Sequence, residues 1–186
     1  DNIPCDERNL IIRSLRLLRE TAREQQTDNH CRAGITIELD KQIPSAAGLG
    51  GASSNAAAAL LAGNQLWQLN WDREKLSQIA SQLGSDITFF LYGGTAICRG
   101  RGEKIEPVRS SCSIPIVIAK PDFGIPTASI FKRATIPTHP VNSNHFITSL
   151  QRLDPHTLGA NMFNRLQEFA EPINPSITAA LTAFNR

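Results

Sequence analysis

The chain has 186 residues, of which 41% are apolar and 19% charged, and its net charge is +2. That is the composition of an ordinary soluble globular protein, long enough to bury a real core as one large domain or two small ones. Lys and Arg are scattered, which argues against a nucleic-acid patch or a polybasic membrane surface, and no apolar run approaches the roughly 20 residues needed to span a bilayer.

The chain opens in a polar stretch with neither an initiator Met nor a signal peptide, and closes inside a helical pattern, so both ends are expected to be cut. Residues 9–24 are predicted to be a helix. Ile11, Leu15, Leu18 and Ala22 fall on one face of a 3.6-residue period, with Asn9 in the capping position. Residues 25–32 are polar and read as a surface loop. Residues 33–39 alternate through Ile35, Ile37 and Leu39 and read as a half-buried strand.

The next stretch is Pro44, Ser45, Ala46, Ala47, Gly48, Leu49, Gly50, Gly51, Ala52, Ser53 and Ser54, followed by an Ala- and Leu-rich helix over residues 55–67. A strand, a glycine-rich loop and a helix start together make an anion cradle. Glycines turn tightly and expose backbone N–H groups, and the helix N-terminus adds free donors and about half a positive charge. Ser53 and Ser54 add hydroxyls. No Asp, Glu, Lys or Arg occurs from Gln42 to Trp71, so a phosphate here rests on backbone dipoles, with any charged help brought from elsewhere. The stretch is not a Walker loop, because no G-K-[ST] follows the glycines. It is a poor dinucleotide fingerprint, because Ser53 stands where a third Gly or Ala is wanted and no acid follows about 20 residues on. A glycine turn that only packs a helix on a sheet is the alternative.

Asn70 and Asp72 offer caps for a helix that places Leu76, Ile79, Ala80 and Leu83 on one face, and Gly84 is suited to end it. Asp86 follows, ahead of a run over residues 87–91 that is apolar except for Thr88. It is either a cap or a functional acid, and capping is the simpler reading of the sequence. Residues 95–98 read as a short strand and 99–103 as a turn. The polar stretch over 106–113 marks a boundary between domains at residues 1–108 and 109–186. Residues 114–119 read as a strand, with Pro115 tolerable at its start or on an edge. Helices are predicted from Pro126–Thr127 to residue 133, with Thr127 as cap, then over 145–152, 158–169 and from 175 onward. Residues 135–144 form a Pro-rich loop. No repeat is visible, and the mixture of elements favours an α+β fold.

Cys5, Cys31, Cys98 and Cys112 form no C-x-x-C pair and read as free thiols in a reducing cytoplasm. His30, His139, His145 and His156 lack metal-ligand spacing, so no protein-bound metal site is expected.

The loop P-S-A-A-G-L-G-G-A-S-S-N-A-A-A resembles the P-x-x-x-G-L-G-[SG]-x-S-S motif of the GHMP kinases. One branch of that superfamily, which acts on a cytidine-diphosphate-linked methylerythritol in the non-mevalonate isoprenoid pathway, shares more. L-G-S-D-I-T-F-F-L at residues 83–91 resembles its L-G-A-D-V-P-F-F. G-G-T-A-I-C-R-G-R-G-E at 93–103 resembles its G-x-A-x-x-x-G-x-G-E turn, and K-P-D-F-G-I-P-T-A-S-I-F at 120–131 its P-x-x-x-x-x-T-x-x-x-F segment.

The resemblance implies a two-domain GHMP kinase fold: a ribosomal protein S5 domain 2-like part over 1–108 and a ferredoxin-like α+β part over 109–186, both incomplete. It implies ATP and Mg²⁺ as cofactors, with residues 44–54 around the ATP phosphates. Asp86 would be the catalytic acid/base, and Phe131 would lie against the cytosine ring with Thr127 nearby. The expected reaction is phosphorylation of the 2-hydroxyl of the methylerythritol arm. A homoserine or mevalonate type of kinase, or a non-catalytic ATP-binding protein, is the alternative. Expected partners are small molecules, with no nucleic acid and no membrane, and the chain is expected to be a cytoplasmic monomer or weak homodimer. The family's catalytic Lys and a Tyr-His pair would precede Asp1, and its G-S-G-x-T loop would follow Arg186, so these 186 residues alone are expected to be inactive. Arg165, in N-R-L-Q, replaces an acid of the family pattern, and Ala52 replaces a Gly.

Overall fold

The computed structural model describes residues 3–25, 31, 33–45, 47–109, 114–121, 124–125, 127–135, 138–139, 142–152 and 155–184. They form two compact units, one of residues 1–45 and 49–108, the other of residues 46–48 and 109–186.

The first unit is built on four helices and a hairpin. Helix α1 (Leu10–Glu24) starts where Asn9 accepts a hydrogen bond from the Ile11 N–H at 3.0 Å, and it buries Ile11, Ser14, Leu18 and Ala22. Ser14 is tolerated inside because its hydroxyl donates to the Leu10 carbonyl at 2.7 Å. Helix α2 (Gly51–Leu66) buries Ala56, Ala57, Ala59, Leu60 and Gly63. Its small residues let α1 approach closely. A Cβ on Gly63 would lie 2.7 Å from Leu15 Cδ2 and 2.8 Å from Leu18 Cδ2. Trp67, just past α2, is almost fully buried. Its indole N–H donates to the Ala33 carbonyl at 3.1 Å, and the Arg19 guanidinium lies 4.8 Å from its ring centre.

Helix α3 (Arg73–Leu83) is capped by Asp72, whose carboxylate accepts from the Lys75 N–H at 2.8 Å, and it buries Leu76, Ile79 and Ala80. Gly84 then leads into α4 (Ser85–Tyr92), which buries Ile87, Thr88 and Leu91. The core is thus Leu18, Ala56, Ala57, Leu60, Trp67, Leu76, Ile79, Ala80, Ile87 and Leu91 with their neighbours. Each fully buried Leu or Ile in it contributes about 1.5–3 kcal/mol. The hairpin pairs β1 (Thr95–Arg99) with β2 (Lys104–Val108) antiparallel, from Thr95 opposite Val108 to Arg99 opposite Lys104. The turn between them needs Gly100 and Gly102 at φ +71° and +109°.

The second unit holds five helices among its described residues: α5 (Thr127–Phe131), α6 (Asn144–Arg152), α7 (Pro155–Ala160), α8 (Gln167–Ala170) and α9 (Pro175–Phe184).

Several sequence expectations need correction. Residues 33–39 form no strand. A strand exists through its ladder, and no described segment pairs with this one. Ile37 is 44% exposed, against the expected alternation. Residues 114–119 likewise form no strand, and Ile116, Val117 and Ile118 are 74%, 81% and 57% exposed. The predicted helix over 158–169 is broken into α7 and α8. Between them the Asn161 side chain donates back to the Thr157 carbonyl, and Asn164 accepts from the Leu166 N–H, both of which compete with helical bonding. The boundary predicted over 106–113 begins inside β2, where Pro107 is tolerated opposite Ala96 in a two-stranded sheet. Gly84 ends α3 in an extended conformation, φ 173°, rather than the left-handed one.

Candidate active site

The glycine loop delivers the chain into α2 through Gly50, which has φ +66°. A Cβ there would be strained, and would also lie 2.7 Å from Phe90 Cε2 and Cζ on α4. Gly51 is the first helical residue, and it is buried. A Cβ on it would lie 2.7 Å from Lys41 Nζ and 2.9 Å from Ile43 Cγ2. The doubled glycine thus meets an aromatic ring at the first position and the branched Cβ and Cγ2 of Ile43 at the second.

Helix α2 begins without a side-chain cap. Asn9 caps α1 and Asp72 caps α3, so the difference lies in the sequence at the helix start. Among the described residues the N–H groups of Gly50, Gly51, Ala52 and Ser53 donate to no acceptor; the first bonded one is Ser54, to the Gly50 carbonyl at 2.9 Å. Ser53 and Ser54 sit in the first turn rather than ahead of it. The Ser54 hydroxyl donates to the Gly51 carbonyl at 2.9 Å, while the half-buried Ser53 hydroxyl makes no hydrogen bond among the described residues. These open donors, with the helix dipole behind them, are an anion site in chemical terms. Pro44, Ser45 and Leu49 are exposed, Ala47 is half-buried, and Ala46 lies outside the described residues.

Asp86 lies in the first turn of α4 and is exposed. It does not cap that helix: the N-cap is Gly84, with no side-chain bond, and among the described residues the carboxylate accepts no hydrogen bond and forms no ion pair. Phe90, one turn later on the same face, touches Gly50, so Asp86 stands about 5–6 Å along α4 from the residue that meets the loop. On its other side is the hairpin. Burial, and then the charge of Asp86, raise the Cys98 thiol on β1 above its usual 9.0. A Cβ on Gly102 would come 3.2 Å from Ser85 Cβ.

The first unit thus brings Gly50, Gly51, Lys41 and Asp86 into one region. Thr127 and Phe131 belong to the second unit. Thr127 opens α5, its side chain lies outside the described part, and Phe131 closes α5 with its ring 60% exposed. Lys41 was not singled out in the sequence; its one signal was its place as the last charge before the uncharged stretch. Cys5 and Cys98 are free thiols, Cys31 is buried, and Cys112 lies outside the described residues. Among the described residues no group of three or more His, Cys, Asp or Glu could hold a metal ion, and no helix is long and apolar enough to cross a membrane.

An open glycine loop feeding a helix, beside a free carboxylate on a neighbouring helix, can hold an anion and accept a proton. Residues 9–94 match the GHMP kinases N terminal domain, and the chain carries the GHMP kinase fold. Several relatives narrow the comparison further. The chain is 34% identical over 186 residues to 4-diphosphocytidyl-2-C-methyl-D-erythritol kinase of Bacillus cytotoxicus, covering 99% of this chain and 62% of the relative. It is 37% identical to the Delftia acidovorans protein of the same name (98% and 60%) and 38% identical to that of Listeria innocua (94% and 58%). It also resembles a crystal structure of 4-(cytidine 5'-diphospho)-2C-methyl-D-erythritol kinase, with a TM-score of 0.69 at 31% identity, over 95% of this chain and 61% of that one. The chain therefore spans about three fifths of the length of these relatives.

Proposed function

We propose that the protein containing this chain transfers the γ-phosphoryl group of ATP to the 2-hydroxyl of 4-diphosphocytidyl-2-C-methyl-D-erythritol. The observation that carries this is the uncapped start of α2 beside the free carboxylate of Asp86, in a chain whose relatives bear that kinase's name. Residues 44–54 bind the ATP phosphates, and the N–H groups of Gly50 to Ser53 orient them. The substrate hydroxyl attacks the γ-phosphorus. Its proton passes to a carboxylate oxygen of Asp86 as the new O–P bond forms and the bond to the β,γ-bridging oxygen breaks, releasing ADP.

Mg²⁺ neutralises charge on the phosphates when bound. The residues present fit it, since one carboxylate plus substrate phosphates is a common Mg²⁺ environment. The exposed ring of Phe131 offers a face for the cytosine to stack on, with Thr127 beside the same subsite. In this reading residues 1–108 are the ATP-binding domain and 109–186 belong to the C-terminal domain of a cytoplasmic monomer or weak homodimer whose partners are small molecules.

The test is a substrate panel with the complete protein, ATP and one alcohol at a time, reading ADP release. Turnover with the cytidyl substrate and none with homoserine or mevalonate is expected. Preference for either of the others reassigns the kinase. ATP binding without transfer to any of them makes the protein a non-catalytic binder.

A further inference from the structure

Lys41 sits where a cation ordinarily does not belong. Its ammonium lies against the first residue of α2, 2.7 Å from where a Cβ of residue 51 would be. The N-terminus of a helix carries partial positive charge, so a lysine there is repelled rather than held. No carboxylate offsets this. Among the described residues the first unit's ion pairs are Arg8–Asp6, Arg16–Glu7, Arg99–Glu106 and Arg101–Glu103, and Lys41 joins none of them. The carboxylate next to it in the chain, Asp40, accepts instead from the Gln42 amide at 2.6 Å. The residue is half-buried, and among the described residues its charge is unpaired.

Three positive features therefore converge without an anion: the helix end, the unpaired N–H groups of Gly50 to Ser53, and the Lys41 ammonium. Gly51 leaves room for the amine, whose Nζ would have to shift for a Cβ there.

We propose that Lys41 is the cation of the phosphate cradle, its ammonium donating directly to a phosphate oxygen of bound ATP. This rests on the reading of residues 44–54 as the ATP loop and adds the charge which that uncharged stretch lacks. Lysine suits the task as a compact point charge on a flexible stem.

The experiment compares ATP and adenosine binding to the complete protein, wild type against Lys41→Met, with Lys41→Gln as a second neutral variant should the methionine not fold. Loss of one charge-assisted contact is expected to weaken ATP by about 10- to 100-fold while adenosine stays within about twofold. Lys41→Arg is expected to recover part of the loss, and the neutral variants to show a shallower salt dependence for ATP. An unchanged ATP affinity in both neutral variants overturns the proposal. So does an equal loss for ATP and adenosine, which marks a structural role. A wild-type protein that binds adenosine as tightly as ATP fails at the level of the loop itself, and the Lys41 assignment falls with it.

Discussion

Asp86 occupies the first turn of a helix without capping it, which leaves its carboxylate free for the proton-accepting role proposed for it. A capping carboxylate spends its oxygens on backbone N–H groups, as Asp72 does on Lys75. Asp86 spends none, and its charge is felt instead at Cys98. The thiol reports on it. Burial and the Asp86 charge both raise the Cys98 pKa, and Asp86→Asn removes the second cause, so the thiolate fraction at a pH of about 8 rises. Iodoacetamide is expected to alkylate Cys98 faster in Asp86→Asn than in the wild type, with exposed Cys5 as an internal reference, read by mass spectrometry of the peptides. An unchanged Cys98 rate contradicts the placement of the carboxylate beside β1.

Helices α1 and α3 were legible from their periodicity and caps, because Asn9 and Asp72 act locally and the apolar face repeats every 3.6 residues. The segments over 33–39 and 114–119 were misread for one reason: alternation describes a strand's faces, while a ladder depends on a partner that local sequence does not contain. Hairpin strand β2 was missed because Glu106 and Pro107 look like linker residues, although the two glycines of R-G-R-G-E announce the turn. The α1–α2 contact gives the sharpest test at this scale. In an exposed helix, Gly→Ala stabilises by about 1 kcal/mol. At Gly63 the new methyl would meet Leu15 and the fully buried Leu18, and overpacking costs about 1–3 kcal/mol. Gly63→Ala is therefore expected to lower the urea midpoint with an unchanged slope. A raised midpoint means that α1 and α2 are packed more loosely than described.

In the whole molecule, the GHMP kinase match over residues 9–94 lies, apart from residues 46–48, in the unit that holds Gly50, Gly51, Lys41 and Asp86. The glycine loop was legible because its residue types serve a backbone conformation, which local sequence encodes. Lys41 and the freedom of Asp86 were not, because both depend on where folding sends a side chain: one amine to the cradle, one carboxylate away from its own helix end. The central claim is that this arrangement moves a phosphoryl group from ATP to an alcohol with Asp86 taking the proton. Steady-state turnover of the complete protein with ATP and 4-diphosphocytidyl-2-C-methyl-D-erythritol, wild type against Asp86→Asn, tests it most directly. The account expects one ADP per phosphorylated alcohol from the wild type, and a kcat about 10²- to 10⁴-fold lower in Asp86→Asn with the KM for ATP little changed. A wild-type protein that transfers nothing, or an Asp86→Asn variant that turns over at the wild-type rate, contradicts it.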